Sequence, residues 1–267
     1  MSALPAAGAA ALFAGALPML AVMAAAGYFQ TVTGFGLGMI VMGAASVLQL
    51  APVATLAVLV SLVTLANSAV ALPGRMQRMD WPAVRAATLG LLPSVVAGAL
   101  LLDYLDRRAA DLLQLLLGTV ILYGGLGAAW RPEPLQRRSS QRSFFLSGVF
   151  GGLLSGLFGV SGPPLIFQFY RQPLRLAEIR GALILVFTVS STIRTLFSLS
   201  QGRLDAALWL QAALAVPVVA LATAAARRFP PPLSAGATRR LAFGVLVLIG
   251  GGLAAPALLA LLRGAAA

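Results

Sequence analysis

Seven stretches of this sequence run for about 20 residues with almost no charge, and they constrain the fold more than any other feature. They are 8–30, 52–72, 82–102, 112–130, 181–200, 206–226 and 241–262. A helix needs about 20 mostly apolar residues to cross a bilayer core. A barrel would instead show alternating strands of about 10 residues. The sequence therefore predicts an all-α polytopic membrane protein.

Composition excludes several kinds of site. The chain is 60% hydrophobic and 10% charged, whereas a soluble domain is about 25% charged. It has no cysteine and no histidine, which excludes disulfides, Cys/His zinc sites and His-based triads. We therefore expect no metal and no cofactor. The net charge of +12 comes from arginines in short loops rather than from a basic domain, so we expect no nucleic-acid partner.

An internal repeat emerges when the chain is compared with itself at a shift of about 125 residues. Gly34 then aligns with Gly159, and other matches follow in the same order. A polar run, RPEPLQRRSSQR, lies between the two copies. We expect a first transmembrane repeat at 1–130, a cytoplasmic linker at 131–142 and a second transmembrane repeat at 143–267.

The distribution of arginines predicts the orientation, because cytoplasmic loops are enriched in Lys and Arg. The linker carries four arginines and is expected inside. The loop 227–240 has four arginines and no acid and is also expected inside, whereas its counterpart 103–111 mixes both charges and could lie outside. Equivalent loops on opposite faces require an odd number of crossings per copy, which is an inverted-topology repeat. The start, MSALPAAGAA, lacks a basic region, so we expect no cleaved signal peptide.

Each copy contains about five hydrophobic segments. They are 8–30, 35–50, 52–72, 82–102 and 109–130 in the first copy, and 143–159, 161–171, 180–200, 206–226 and 238–262 in the second. The second segment of each copy would rise only about 24 Å or 17 Å as a helix, less than the core of about 30 Å. We interpret it as a half-span that forms a broken helix hairpin with the segment before it.

Glycines interrupt both short segments, in TVTGFGLGMIVM at 31–42 and SGLFGVSGPPLIF at 155–167. The second stretch also contains Pro163 and Pro164, which are expected in the first turn of a helix. Paired interruptions at matching places in two copies point to a transport site. The start of each half-helix would offer unpaired N–H groups that suit an anion. Tight helix packing is the alternative for any single glycine. The substrate-binding residues expected here are Gln30, Thr33, Gly34, Gly36, Gly159, Ser161, Gly162 and Gln168.

Arg194 lies inside the segment 180–200, where a charge costs roughly 2.5–3.5 kcal/mol by insertion scales and indicates function. A guanidinium holds oxyanions in bidentate geometry, and Ser191 lies one turn before it on the same face. The alternative is snorkelling to the interface or a structural pair. Asn67 matches Thr192 across the repeat. We add Asn67, Ser191 and Arg194 to the site, although an interhelical hydrogen bond is the alternative for Asn67.

The carboxylates all lie near segment ends, so the sequence offers no candidate for a buried proton relay. Asp80 and Asp205 match across the repeat and are expected to cap the helices that follow them. Glu178 is expected in an ion pair with a nearby arginine. Tryptophans near segment ends are expected as interface anchors, and these are Trp81, Trp130 and Trp209.

The two glycine-rich stretches, GYFQTVTGFGLGM and GGLLSGLFGVSGPPL, head two hydrophobic copies joined by a short polar linker. In this arrangement nearly the whole chain resembles the TauE/SafE family of sulfite-exporter-like permeases. The resemblance implies a multi-pass carrier in the bacterial inner membrane for small sulfur-containing anions such as sulfite, sulfoacetate or other organosulfonates. It fixes neither the substrate nor the direction of transport, and it extends to individual residues only within the two stretches.

We therefore predict a secondary transporter that works by alternating access around a mid-membrane site and is surrounded by membrane lipid. An anion channel, or a carrier of another small organic anion, is the alternative. An enzyme is not expected, because the sequence offers no metal cluster, no carboxylate pair at depth and no nucleophile–base pair. A proton as coupling ion and a homodimer are left open, and the sequence contains no Walker motif for ATP drive.

Overall fold

A computed structural model of the chain describes residues 6–74, 76, 79–129, 135–231 and 235–265. Within these ranges it contains ten α-helices and no strand, so the all-α prediction is confirmed. The helices are α1 Ala6–Thr33, α2 Leu37–Val47, α3 Val53–Ala71, α4 Trp81–Arg108, α5 Ala110–Ala129, α6 Gln141–Phe158, α7 Gly162–Tyr170, α8 Leu176–Ser200, α9 Ala206–Arg228 and α10 Ala235–Ala265. They follow the ten predicted segments in order. Trp130, which was predicted as an interface anchor, and Arg131, one of the four arginines of the linker, lie outside the described residues.

Five of the described helices are long and apolar enough to cross a membrane. They are Val53–Ala71, Trp81–Asp106, Leu176–Ser200, Ala206–Arg228 and Phe243–Leu262. Shorter apolar stretches occur in α1, α2 and α5. With 11 residues in α2 and 9 in α7, these two helices rise only about 17 Å and 14 Å. Both are too short to cross the core, as predicted for half-spans.

Helix α4 continues six residues beyond its predicted end at residue 102. The additional turns carry Asp103, whose carboxylate forms a bidentate ion pair with Arg203 in the α8–α9 connection. The predicted apolar segment ends just before this charge, whereas the ion pair allows the helix to continue into the polar region. Hydropathy predicts the part of α4 that crosses the membrane. It does not predict the extra turns, which carry a long-range ion pair.

Helices α6 and α7 form a hairpin that returns to the side from which it starts. Phe144 in the first turn of α6 packs against Phe169 near the end of α7, with ring centroids 5.2 Å apart. Just outside the hairpin, the backbone N–H of Ser139 donates to Gln172 Oε1 at 2.9 Å. Both ends of the hairpin therefore lie beside the linker.

The predicted acidic caps are confirmed. Asp80 begins α4 and its Oδ1 accepts from the backbone N–H of Ala83 at 3.1 Å. Asp205 begins α9 and accepts from Leu208 N at 2.7 Å. Each carboxylate satisfies an N–H group that has no partner within its own helix. Asp80 also pairs with Arg138 at 2.5 Å, so the start of α4 is tied to the linker.

Another ion-pair prediction is confirmed at the start of α8, where Arg175 contacts Glu178 at 2.5 Å. This contact also closes a reciprocal cap, because Arg175 is the N-cap residue of α8. The predicted interface anchors Trp81 and Trp209 lie in the first turns of α4 and α9, and both are exposed on the outside of the molecule.

Helices α4 and α6 run parallel in very close contact. A Cβ added to Gly148 would lie 2.0 Å from the carbonyl oxygen of Ala87, and one added to Gly156 would lie 2.2 Å from that of Val95. Small residues let helix backbones approach closely in membranes. For Gly156 the packing alternative therefore accounts for the glycine. The contact joins the first half of the chain to the second.

Helices α5 and α10 run antiparallel along another glycine-rich contact. A Cβ on Gly118 would lie 2.6 Å from Ala254 N, and one on Gly250 would lie 2.7 Å from Leu122 N.

Several contacts between the two halves of the chain occur twice, each time between corresponding helices of the two copies. Helix α4 packs on α6 as α9 packs on α1, and α3 contacts α9 as α8 contacts α4.

Candidate functional site

The two hairpin breaks meet inside the molecule. They comprise residues 34–36 and 159–161, so the same shift of 125 residues relates both their first and their last positions. A Cβ on Gly38, in the first turn of α2, would lie 3.1 Å from the carbonyl oxygen of Gly159. The structure thus brings together the two stretches that the sequence singled out.

Three glycines at the breaks adopt positive φ angles, which L side chains rarely accept. The φ angles are +90° for Gly34, +106° for Gly36 and +67° for Gly159. Space is also lacking, because a Cβ on Gly34 would lie 2.7 Å from Arg180 Cγ and one on Gly159 would lie 2.9 Å from the oxygen of Ala57. Conformation and packing both require glycine at Gly34 and Gly159.

We expect Gly159→Ala to lower the melting temperature more than Gly202→Ala. Gly202 has nearly the same φ of +66° but nothing within 4 Å of an added Cβ, so it isolates the conformational cost of about 1–3 kcal/mol. The excess at Gly159 measures the contact with Ala57. Thermal unfolding followed by size-exclusion chromatography gives both values. Equal decreases in melting temperature for the two variants would show that the break at Gly159 can accommodate an added methyl group.

A small cavity lies between the breaks. Its volume is about 20 Å³, which is room for about one water molecule. Thr64 of α3 and Phe187 and Ser190 of α8 contribute to its wall. Six of the predicted site residues also line it, namely Gln30, Gly36, Gly159, Ser161, Gly162 and Ser191.

Both half-helices direct their N-terminal ends towards this cavity. Gly38 and Met39 in the first turn of α2 line it, as does Gly162 at the start of α7. The first N–H groups of a helix lack partners within it and carry partial positive charge. Of the described residues around the cavity, none is acidic. Such a site suits a small anion.

Gln30 links the cavity wall to the start of α2. Its Oε1 accepts from the backbone N–H of Leu37 at 3.1 Å, and its Nε2 donates to Asn67 Oδ1 at 3.0 Å. Asn67 Nδ2 in turn lies 3.0 Å from Thr31 Oγ1 and 2.7 Å from Thr223 Oγ1. Asn67 does not line the cavity, so these contacts support the interhelical alternative for this residue.

Thr223 is the member of this network that sequence reasoning missed. It is fully buried in α9 and lies 156 positions from Asn67. A single threonine in an apolar span carries no signal, because its hydroxyl can also be satisfied by its own helix.

Two hydroxyl groups face each other on the second-half side of the cavity. Ser161 Oγ and Ser190 Oγ are 2.8 Å apart, and both residues are buried. Ser190 Oγ also lies 2.9 Å from the carbonyl oxygen of Phe187. Ser161 belongs to the break and Ser190 to α8, so this contact joins the α6–α7 break to a full span.

Arg194 is only 2% exposed, which argues against the snorkelling alternative. Its Nε donates to the carbonyl of Ala57 at 3.2 Å and its Nη1 to that of Ser155 at 3.1 Å. Ala57 lies near the start of α3 and Arg194 near the end of α8, so these two helices run antiparallel. Arg194 is not part of the cavity wall and lies one turn beyond Ser191, which is.

The carbonyl groups that Arg194 contacts have other donors. Ser61 Oγ donates to the Ala57 carbonyl at 2.9 Å, and the Gly159 N–H donates to the Ser155 carbonyl at 2.8 Å. Satisfying these acceptors therefore does not require a guanidinium. An ionisable residue inside a span is a candidate for function by default, so Arg194 stays a candidate beside its structural alternative.

The first and second halves hold their breaks in a similar way. Asn67 of α3 contacts Gln30, and Arg194 of α8 contacts Ser155. Gln30 and Ser155 each lie four residues before the first glycine of a break and are related by the shift of 125. In each half, a polar side chain from the third helix (α3 or α8) thus forms a hydrogen bond with a residue near the end of the first helix (α1 or α6).

Besides Asn67 and Arg194, three more predicted residues lie outside the cavity wall. Thr33 accepts through its carbonyl from the Tyr170 hydroxyl at 2.6 Å, which joins the first break to the end of α7. Gly34 packs against Arg180. Gln168 is 4% exposed, and its Nε2 has no hydrogen-bond partner among the described residues.

These elements define a polytopic α-helical membrane protein in which two broken hairpins converge on a small cavity with no acidic residue in its described wall. The chain matches the family described as "Sulfite exporter TauE/SafE" over residues 19–261 and belongs to that family. The resemblance seen in the two glycine-rich stretches is thereby confirmed. The protein is a multi-pass protein of the bacterial inner membrane, in a family of transporters. This agrees with the expectation that it is not an enzyme.

Two relatives are informative. The "Probable sulfite/organosulfonate exporter TauE" of Cupriavidus necator strain H16 is 68% identical over 245 residues, which cover 91% of this chain and 96% of the relative. The "Probable inner membrane transporter protein TsaS" of Comamonas testosteroni is 28% identical over 183 residues, 66% of this chain and 72% of the relative. No solved structure is a significant match to the chain.

Proposed function

We propose that this protein is a secondary carrier of small sulfur-containing anions, such as sulfite or an organosulfonate, and that the cavity between the breaks is its substrate site. The observation that carries the proposal is the convergence of two half-helix N-termini, α2 and α7, on one polar cavity without an acidic residue in its described wall. The relative that is 68% identical carries a name that specifies sulfite and organosulfonate export.

We further propose that residues 1–130 and 143–267 are inverted repeats joined by the cytoplasmic linker 131–142. The antiparallel pairs α3/α8 and α5/α10 support this, because each consists of two helices that correspond across the repeat. The recurring contacts of α4 with α6 and of α9 with α1 support it too. Two oppositely oriented copies can rock against each other to expose a shared site to either side.

The size of the cavity indicates that the site must widen during transport. About 20 Å³ holds one water molecule, whereas sulfite has four non-hydrogen atoms. The hairpins must therefore separate when an anion enters. A site narrower than its substrate is what we expect of a carrier whose cavity widens when the two halves move.

Two ion pairs lie at opposite ends of α4. Each is suited to keep the site closed towards one side of the membrane while the site is open to the other side. Asp80 joins the linker at Arg138, and Asp103 joins the second half at Arg203. The hydrogen bond with Asp103 holds the pKa of Arg203 above its usual value. Arg203 therefore keeps its positive charge at physiological pH.

Transport assays in proteoliposomes test the proposal. We expect saturable uptake of labelled sulfite or sulfoacetate, with acceleration when the same anion is present on the opposite side. Taurine and thiosulfate, each with and without a proton gradient, define the substrate and the coupling. Conductance without saturation would indicate a channel. Transport of carboxylates but of no sulfur oxyanion would contradict the proposed substrate class.

A further inference from the structure

A basic recess lies at the linker-side ends of α4 and α6, away from the central cavity. Its volume is about 480 Å³, and Arg85, Gln141, Arg142 and Phe145 contribute to its wall. Neither arginine takes part in an ion pair with a described residue. Of the described residues around the recess, two are cationic and none is acidic. The recess therefore carries an uncompensated positive charge.

An apolar groove of about 520 Å³ continues from the recess between α4 and α8. It shares Arg85 and Leu89 with the recess, and its remaining wall is almost entirely apolar. Along α4 the groove runs from Trp81 to Leu89, two turns into the span, and Leu89 is 61% exposed. On α8 its wall includes Val189. The basic recess and the apolar groove thus lie beside each other along the first turns of α4.

We propose that the recess and the groove together bind one acidic phospholipid, with its phosphate between Arg85 and Arg142 and one acyl chain along the groove. Guanidinium groups bind phosphate oxygens through charge-assisted hydrogen bonds. Basic pockets between helices on the cytoplasmic side are suited to anionic headgroups. The described wall has no acid to pair with the ammonium group of a zwitterionic lipid, and a soluble anion would leave the groove empty.

Such a lipid contacts both halves of the protein. Arg85 and Leu89 belong to α4 of the first half, whereas Arg142 and Val189 belong to α6 and α8 of the second. Its headgroup lies beside the helix start that Asp80 ties to the linker. The bound lipid therefore stabilises the arrangement of the two halves on the linker side.

Native mass spectrometry of the delipidated full-length protein tests this proposal without a transport assay. Phosphatidylglycerol and phosphatidylcholine with identical acyl chains serve as the probes. We expect phosphatidylglycerol to be retained about tenfold more strongly. The double substitution Arg85→Gln/Arg142→Gln should reduce its retention to the level of phosphatidylcholine. The control Arg137→Gln/Arg228→Gln removes the same charge from exposed positions outside the recess and should leave the preference unchanged.

Three outcomes would overturn the proposal. The first is equal retention of the two lipids by the native protein. The second is a loss of preference in the control as large as in the double variant, which would indicate a general charge effect. The third is displacement of phosphatidylglycerol by an equimolar concentration of inorganic phosphate, which would indicate a free-anion site. If the double variant fails to fold, each single variant must by itself weaken retention of phosphatidylglycerol.

Discussion

Replacing Arg194 with methionine is expected to lower sulfite transport by more than about tenfold while thermal stability stays the same or rises. The carbonyl groups of Ala57 and Ser155 keep other donors when the guanidinium is lost. An unbranched methionine can fill the vacated space. Removing a buried charge from a span also removes its desolvation cost. Transport suffers because the positive charge lies one turn from the serines that line the anion cavity.

Two measurements decide between a functional and a structural role for Arg194. Uptake of labelled sulfite in proteoliposomes gives the transport rate, and thermal unfolding of the purified protein gives the stability. Arg194→Lys keeps the charge and should retain more transport than Arg194→Met. Arg137→Met, at an exposed position, should change neither quantity. A parallel loss of stability and transport would identify Arg194 as a structural residue, and unchanged transport would remove it from the site.

Introducing a single methyl group at Gly148 is expected to lower the melting temperature by about 5 °C or more. The added Cβ would lie 2.0 Å from the carbonyl oxygen of Ala87 and 3.0 Å from its Cα. These are backbone atoms, so no side chain can rotate away, and α4 must shift relative to α6. Overpacking of this kind typically costs about 1–3 kcal/mol, and each kcal/mol lowers the melting temperature of a chain of this size by about 2–4 °C.

Gly251→Ala is the matched control for Gly148→Ala. Gly251 also lies inside a helix, but nothing is within 4 Å of an added Cβ. Alanine is the better helix former, so its melting temperature should not fall. If Gly148→Ala is as stable as this control, α4 and α6 separate at little cost, and the close contact between the two halves does not hold the fold together.

Much of the fold was accessible from local patterns. The apolar segments predicted the ten helices, and the shift that aligns Gly34 with Gly159 located both breaks. Asp80 and Asp205 were correctly assigned as caps, because a carboxylate before a helix acts on N–H groups only a few residues away. The proline pair Pro163 and Pro164 fits the first turn of α7 as expected.

The site was predicted less completely than the fold. Gln30, Ser161 and Ser191 line the cavity as expected, whereas Gln168 and Arg194 do not. The partners of these side chains depend on how the helices rotate and pack, which periodicity does not specify in spans that are apolar on every side.

The sequence by itself determined which segments are helical, where two of them break and that the chain enters a membrane, because these properties depend on contiguous residues and their solvent. The tertiary structure alone decided that the breaks meet, that Gly156 serves packing against α4, and that Arg194 binds the carbonyl of Ala57, 137 positions away. Contacts over such separations follow from the close packing of whole helices, in which the shape of every neighbour counts.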